Sequence, residues 1–242
     1  VSQPLPPGAF ARALKDKRER QRRRRLWTAG IASGLVLTIG VLIYLFWFSP
    51  VFATREVQVT GAKLLTADEV RTAADVELGV PVLRQDGDAI AERVRTLPEV
   101  RDVSVVTALP GSVIVNVEER TLLYQLVGSG SVQWVDAEGV VFGSSPQASD
   151  GVIQVSSSDP NDRLRADIAT VVTHLPDAVR GDVVEFTAPS VDRISFKLTD
   201  GRQVIWGSAE ESELKSEVLA ALLSVEASVY DVSAPRSPIT KK

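Results

Sequence analysis

The chain of 242 residues has no cysteine and a single histidine, His174. Disulfides and thiol chemistry are therefore excluded, and so is a zinc site of the usual Cys/His kind. The compartment stays open, because an extracytoplasmic domain can fold without disulfides. No Gly-rich phosphate loop is present. One formal match to a catalytic motif exists, Ser212-Glu213-Leu214-Lys215. It lacks the Ser-Asp-Asn and Lys-Thr-Gly elements of penicillin-interacting enzymes and lies among Glu210, Glu211, Glu213 and Glu217, so it reads as a solvated helix face. His174 falls near a helix carboxyl end, where a cation meets the helix dipole favourably. Asp86 with Asp88, and Asp159 with Asp162, fall where caps and turns are expected. The reading is a chain with no catalytic residues, no metal and no cofactor.

What is present begins with an apolar run. Leu26 to Phe48 carries no charged residue, and as a helix it would extend roughly 34 Å, enough for a bilayer core of about 30 Å. Trp27 at one end and Tyr44, Phe46, Trp47 and Phe48 at the other fit the aromatic belts of membrane interfaces. A cleaved signal peptide is the rival reading, since Val51-Phe52-Ala53 offers a small residue to a peptidase. Signal h-regions run to only about 7–15 apolar residues, so the segment is kept as an anchor. Residues 1–25 hold nine basic residues against Asp16 and Glu19, a charge of +7 that leaves −11 on the remainder of a chain whose net charge is −4. The amino end is therefore expected in the cytoplasm and the rest of the chain outside. An ectodomain this acidic argues against nucleic acid as a partner. The chain starts at Val1, which leaves room for a native amino terminus upstream.

Beyond the span, "REVQVTG" reads as a strand and turn ending at Gly61. Thr66-Ala67-Asp68-Glu69 is a capping box opening a short helix to about Asp75. A second helix should place Ile90, Val94 and Leu97 on one face, with Asp88 as N-cap and Pro98 as its end. In "LPEVRDVSVVTALPGSVIVNVEER", residues 97–120, Val103 and Val105 share one strand face and Val113, Val115 and Val117 another. The order strand, helix, helix, strand, strand makes a small α+β domain over residues 52–119. From Leu122 the texture shifts to short strands, "LLYQLV", "VQWVD", "VVFG" and "VIQV". Asp159-Pro160 then opens a helix with Leu164, Ile168, Val171, Val172 and Leu175 on one side. "DVVEFT" follows, and "ISFKLTDGRQVIWG" is a hairpin whose Asp200-Gly201 suits a type I′ turn. Ser208-Ala209-Glu210-Glu211 reads as a second capping box, with Leu214, Val218, Ala221 and Leu222 facing inward on its helix. "VYDV" is the last strand. Residues 120–233 thus form a mostly antiparallel β domain with two packed helices, and residues 234–242 a flexible tail.

A basic head, one span, the strand-helix-helix-strand-strand domain and a β-rich second domain together resemble the FtsQ/DivIB family of bacterial cell-division proteins. The first domain is similar to that family's POTRA domain. The words that carry the resemblance are "VQVTG" at 57–61, "LPEV" at 97–100, "LPGSVIVNVEER" at 109–120, "DAEGVVFG" at 136–143, "VIWG" at 204–207 and "VYDVSAP" at 229–235. Thr107 and Leu122 stand where the family often has Arg and Pro. Abundant Ala, Val and Arg suggest an actinobacterium-like source. The resemblance implies a non-enzymatic divisome scaffold at the cell membrane and the septum, linking early and late division proteins and helping regulate septal peptidoglycan synthesis. It implies FtsB/DivIC-like and FtsL-like bitopic partners, with FtsW and the septal penicillin-binding protein engaged indirectly. "VYDVSAP" is then expected to be an exposed edge strand that docks the FtsB-like partner through Val229, Tyr230, Asp231, Val232 and Ser233, with Tyr230 as a side-chain anchor. Two alternatives share parts of this layout. A POTRA-bearing transport subunit would need many more alternating strands to build a barrel, and a membrane-anchored cell-wall enzyme would need a nucleophile or metal constellation.

Overall fold

The computed structural model describes residues 9–128, 130–158 and 160–242. The first eight residues of the basic head, and Asp159 with its expected helix-opening role, lie outside the described residues. Helix α1 (Ala9–Phe48) runs through 40 residues without a break, from the basic head into the apolar run. Its stretch Arg24–Leu45 is apolar and long enough to cross a membrane. Thr28 and Thr38 donate their hydroxyls to the carbonyls of Arg25 (3.1 Å) and Gly34 (2.9 Å), so both hydroxyls are satisfied within the helix, as a lipid environment favours.

A 3₁₀ turn at Pro50–Phe52 follows. Then come β1 (Glu56–Thr60), α2 (Ala67–Ala74), α3 (Gly87–Val94), β2 (Val100–Ala108) and β3 (Ser112–Glu119), with the strands in the order β1-β3-β2. Strand, helix, helix, strand, strand is the order read from the sequence. The capping box forms as expected: the Glu69 amide donates to Thr66 Oγ1 at 3.3 Å and the Thr66 amide to Glu69 Oε2 at 2.7 Å. Asp88 is not an N-cap, because α3 already starts at Gly87 and Asp88 sits in its first turn.

The remaining strands are β4 (Tyr124–Val127), β5 (Val132–Val135), β6 (Val141–Ser145) and β7 (Ile153–Ser156). After α4 (Asp162–Thr173) and the short α5 (Asp177–Arg180) come β8 (Val183–Thr187), β9 (Ile194–Leu198) and β10 (Gln203–Gly207), then α6 (Ser212–Leu222), β11 (Val229–Asp231) and β12 (Ile239–Lys241). These strands form one sheet in the order β12-β11-β10-β9-β8-β7-β4-β5-β6. Five neighbouring pairs are antiparallel, but β4–β7, β7–β8 and β10–β11 are parallel. The packed helices account for two of these, since α4 lies in the crossover from β7 to β8 and α6 in that from β10 to β11, while β4 reaches β7 through the β5–β6 hairpin. The five α4-side residues expected inside, Leu164, Ile168, Val171, Val172 and Leu175, are all buried, and they share a core with Phe186, Phe196 and Trp206. Phe186 and Phe196 face each other in register and stack with ring centroids 5.7 Å apart.

Three local readings change. The β9–β10 turn is not type I′: among described non-glycine residues only Asp75 and Glu211 have positive φ, so Asp200 stays right-handed and Gly201 alone takes φ +87°. The Gly201 amide donates to the Leu198 carbonyl at 2.9 Å, which makes a type I turn followed by a left-handed glycine. Ser208–Glu211 is not a capping box. Glu211 is the left-handed N-cap of α6 and makes no side-chain cap bond. On α6 the expected Val218 and Leu222 do pack against the core, but Ser212, Lys215 and Leu219 are the buried residues and Ala221 is exposed.

By backbone proximity the chain divides into two compact units. One comprises the segment up to Gln58 with Val76–Asp86 and Thr107–Ile114; the other comprises Val59–Asp75, Gly87–Val106 and Val115–Lys242.

Candidate partner-docking site

The five residues of the expected docking strand lie in and just beyond β11, and β11 is not an edge. It pairs in parallel with β10 (Val204↔Tyr230) and antiparallel with β12 (Tyr230↔Thr240), so the tail read as flexible returns as the outermost strand. The Gln203 amide donates to the Ser228 carbonyl and the Val232 amide to the Ile205 carbonyl, each at 2.9 Å. Even-numbered residues of β11 therefore direct their backbone toward β10, and Val229 and Asp231 direct theirs toward β12. In the same register Ile239 and Lys241 face β11, opposite Asp231 and Val229. Thr240 points its N–H and C=O away from the sheet.

Tyr230 is not a surface anchor. Its ring is buried, its hydroxyl donates to the Val225 carbonyl at 2.7 Å, and the Arg202 guanidinium carbon lies 5.8 Å from its centroid. Val232 is buried as well. Asp231 Oδ1 accepts from the Ser233 amide (3.0 Å) and hydroxyl (2.6 Å), a turn that starts the chain on its way back toward β12. The edge strand that the sequence left inside the tail is made of Ile239, Thr240 and Lys241. Their only signal was a β-branched pair directly after Pro238.

A second cluster sits where β3 ends. The Glu119 carboxylate accepts the amides of Lys63, Leu64 and Leu65, each at 2.9 Å. Partial burial pulls this carboxyl upward, but the amides of Leu64, Leu65 and Lys63 together hold it below the ordinary glutamate range. One residue on, strand alternation sends Arg120 the other way. Its Nη1 contacts the buried Asp136 carboxylate and lies 3.1 Å from Glu138 Oε2. Arg101 extends the network, to Glu138 at 3.1 Å and Glu118 at 3.2 Å. Asp136 Oδ1 also accepts the amides of Glu138 (2.9 Å) and Val140 (2.8 Å), which fixes the β5–β6 turn.

Ser212 and Lys215 are not on a solvated face. The Ser212 hydroxyl donates to the Ala209 carbonyl at 2.8 Å and accepts the Trp206 indole N–H at 3.2 Å. Lys215 Nζ donates to the Ser208 carbonyl at 2.8 Å, and burial pulls its ammonium below the usual lysine range. Both side chains are spent on tying the start of α6 to β10. His174 caps α4, with Nδ1 2.8 Å from the Thr170 carbonyl.

The description "POTRA domain, FtsQ-type" matches residues 52–120, and "Cell division protein FtsQ/DivIB, C-terminal" matches residues 124–233. The cell division protein FtsQ of Streptomyces bingchenggensis is 37% identical over 229 residues, which span 90% of this chain and 86% of that protein. The chain belongs to the FtsQ/DivIB family. FtsQ of Mycolicibacterium smegmatis is 34% identical over 217 residues, covering 89% of this chain and 64% of its own length. FtsQ of Streptomyces venezuelae is 34% identical over 222 residues, 84% of this chain and 82% of its own. As an FtsQ/DivIB protein the chain is a non-enzymatic scaffold of the cell-division machinery. Two of the words that carried the resemblance touch: Glu118, Glu119 and Arg120 end "LPGSVIVNVEER", and Asp136 and Glu138 begin "DAEGVVFG". The ion pairs between Arg120 and those two acids link them.

Proposed function

We propose that this scaffold docks an extended segment of an FtsB/DivIC-like bitopic partner on the free edge of β12, with an FtsL-like protein in the same assembly. Through them it acts on FtsW and the septal penicillin-binding protein, and so helps regulate septal peptidoglycan synthesis and link early to late division proteins. The observation that supports this reading is the outward-facing backbone of Thr240 at an unpaired sheet edge, beside exposed Ile239. Strand addition uses main-chain N–H and C=O groups and needs no reactive side chain. Lys241 in β12 and Lys242 directly after it favour an acidic or acid-flanked segment. Residues 52–119 and 120–233 serve as two modules joined at Glu119 and Arg120. The head lies in the cytoplasm, the ectodomain outside, and the protein is enriched at the septum.

Proline substitution tests the docking edge by parity. Thr240→Pro removes the outward N–H and should abolish co-purification with the FtsB-like partner while thermal melting stays unchanged. Ile239→Pro removes an N–H directed at β11 and should lower the melting temperature. Normal partner capture by a folded Thr240→Pro variant would place docking elsewhere.

A further inference from the structure

Large apolar side chains left in water are informative when they gather at one place. Outside α1, the unit that contains it exposes Val51 (55%), Leu78 (65%), Leu83 and Leu109 (57%). The last three come from two loops that are far apart in sequence. Backbone bonds hold both loops against the residues just past the apolar helix. The Gly79 amide donates to the Thr54 carbonyl at 2.9 Å, the Thr54 amide to the Val80 carbonyl at 2.8 Å, and the Arg55 amide to the Gly111 carbonyl at 2.8 Å. Ala53 bridges Pro81 as well. Each exposed leucine is thus within two residues of a group bonded to residues 53–55.

From Phe48, where α1 ends, to Ala53 is five residues, at most about 17 Å even if fully extended. The connection is shorter than that. The Ser49 amide still donates to Leu45 at 2.8 Å, and the 3₁₀ turn donates the Phe52 and Ala53 amides back to Ser49 (3.2 Å) and Pro50 (3.3 Å). The headgroup zone on each side of a bilayer core is roughly 5–8 Å deep. Two apolar loops tethered this close to an emerging span lie within reach of it.

We infer that Leu78, Leu83 and Leu109, with Val51, form a membrane-resting face that inserts into the headgroup layer of the leaflet from which α1 emerges. This rests on α1 crossing the membrane. Exposed Arg55 stands beside exposed Glu56, and exposed Arg84 shares its segment with exposed Glu77 and Asp86, so the apolar side chains carry the attachment and lipid charge matters little. Resting on the bilayer would fix the height and tilt of the first domain above it.

The absence of cysteine makes the test direct. Leu78→Cys, Leu83→Cys and Leu109→Cys, each carrying an environment-sensitive fluorophore, are reconstituted as full chains into vesicles of phosphatidylcholine or of phosphatidylethanolamine with phosphatidylglycerol. Val184→Cys is the exposed control and Leu35→Cys the span control. Lipids bearing a nitroxide near the headgroup should quench the three loop labels in both vesicle types, and aqueous iodide should not; the Val184 label should behave the opposite way. The Leu35 label should be quenched by a nitroxide near the acyl-chain end. Loop labels open to iodide like the Val184 label overturn the inference while leaving the span in place. Loop labels shielded from iodide but untouched by lipid nitroxides overturn it in favour of a second copy of the chain as the cover. An unquenched Leu35 label removes the span and the inference together. All three loop positions are exposed, so labelling should leave thermal melts unchanged, and any one that perturbs the fold leaves two to read.

Discussion

At the scale of single residues, position in the register decides what a side chain does. Ser212 is the clearest case. Its sequence surroundings of glutamates suggest solvent, yet its hydroxyl is the acceptor for the buried Trp206 indole. Ser212→Ala should therefore destabilise the protein by about 1–3 kcal/mol, because a buried N–H loses its partner. Urea unfolding followed by tryptophan fluorescence measures this, and an unchanged midpoint would contradict the assigned bond. Glu119 makes a pH-dependent contribution. Its carboxyl titrates lower in the folded chain than in the unfolded one, so the stability it adds is present above the ordinary glutamate pKa of 4.5 and fades as pH falls through the folded value. Glu119→Gln should melt earlier than the parent chain at neutral pH, and the gap should close on acidification from about pH 4.5 downward. Melts across that range decide it: a gap that persists at the acid end would mean that the amides of residues 63–65 do not depend on the charge.

At the scale of elements, what could be read in the sequence was what each element encodes for itself. The alternating valines of β2 and β3, the Thr66–Glu69 box and the 3.6-residue stripe of α4 are local patterns, and all appear where the sequence puts them. What could not be read depends on neighbours. β12 is three residues long and owes its order to β11, so nothing in "SPITKK" alone distinguishes it from a polar tail. The parallel pairing of β10 with β11 needs the knowledge that α6 crosses over the sheet. On α6 the inward-facing Val218 and Leu222 were legible, but burial of the polar Ser212 and Lys215 was not, because it depends on Trp206 and the Ser208 carbonyl beside them. The strand expected at the edge, β11, lies one position inside it for the same reason. Ending the chain at Ser237 tests how much β12 contributes. Tyr230 and Val232 keep their backbone bonds to β10, so the fold should survive at a cost of about 1–2 kcal/mol, for a few edge hydrogen bonds set against the entropy of ordering three residues. Val229 and Asp231 would then present a bare edge, and the shortened protein should self-associate in size-exclusion chromatography. A monomer of unchanged stability would show that β12 neither protects nor supports the sheet.

At the scale of the whole molecule, charge and length act together to set the topology. The helix α1 passes from the basic head into the apolar run without interruption, so nine basic residues precede one end of the span on the same continuous helix. The other end meets a chain carrying −11. Basic residues flanking a span stay on the cytoplasmic side, and large acidic domains are translocated with little resistance. The expectation is a cytoplasmic head and an ectodomain, residues 52–242, on the far side of the membrane. A protease added to spheroplasts should then degrade the ectodomain, and an epitope placed in the head should survive on a small fragment made of the head and the span. Permeabilising the membrane should remove that fragment's epitope as well. Charge can be tested separately from hydrophobicity. Replacing Arg22, Arg23, Arg24 and Arg25 with Gln leaves the apolar run untouched, so the chain should still partition with membranes, but a larger share of molecules should carry the head outside and protect the ectodomain from the added protease. If the parent chain is protected at full length in intact spheroplasts, the orientation is reversed. The Thr240 edge would then face the cytoplasm, and the extracytoplasmic partners proposed for it could not reach it.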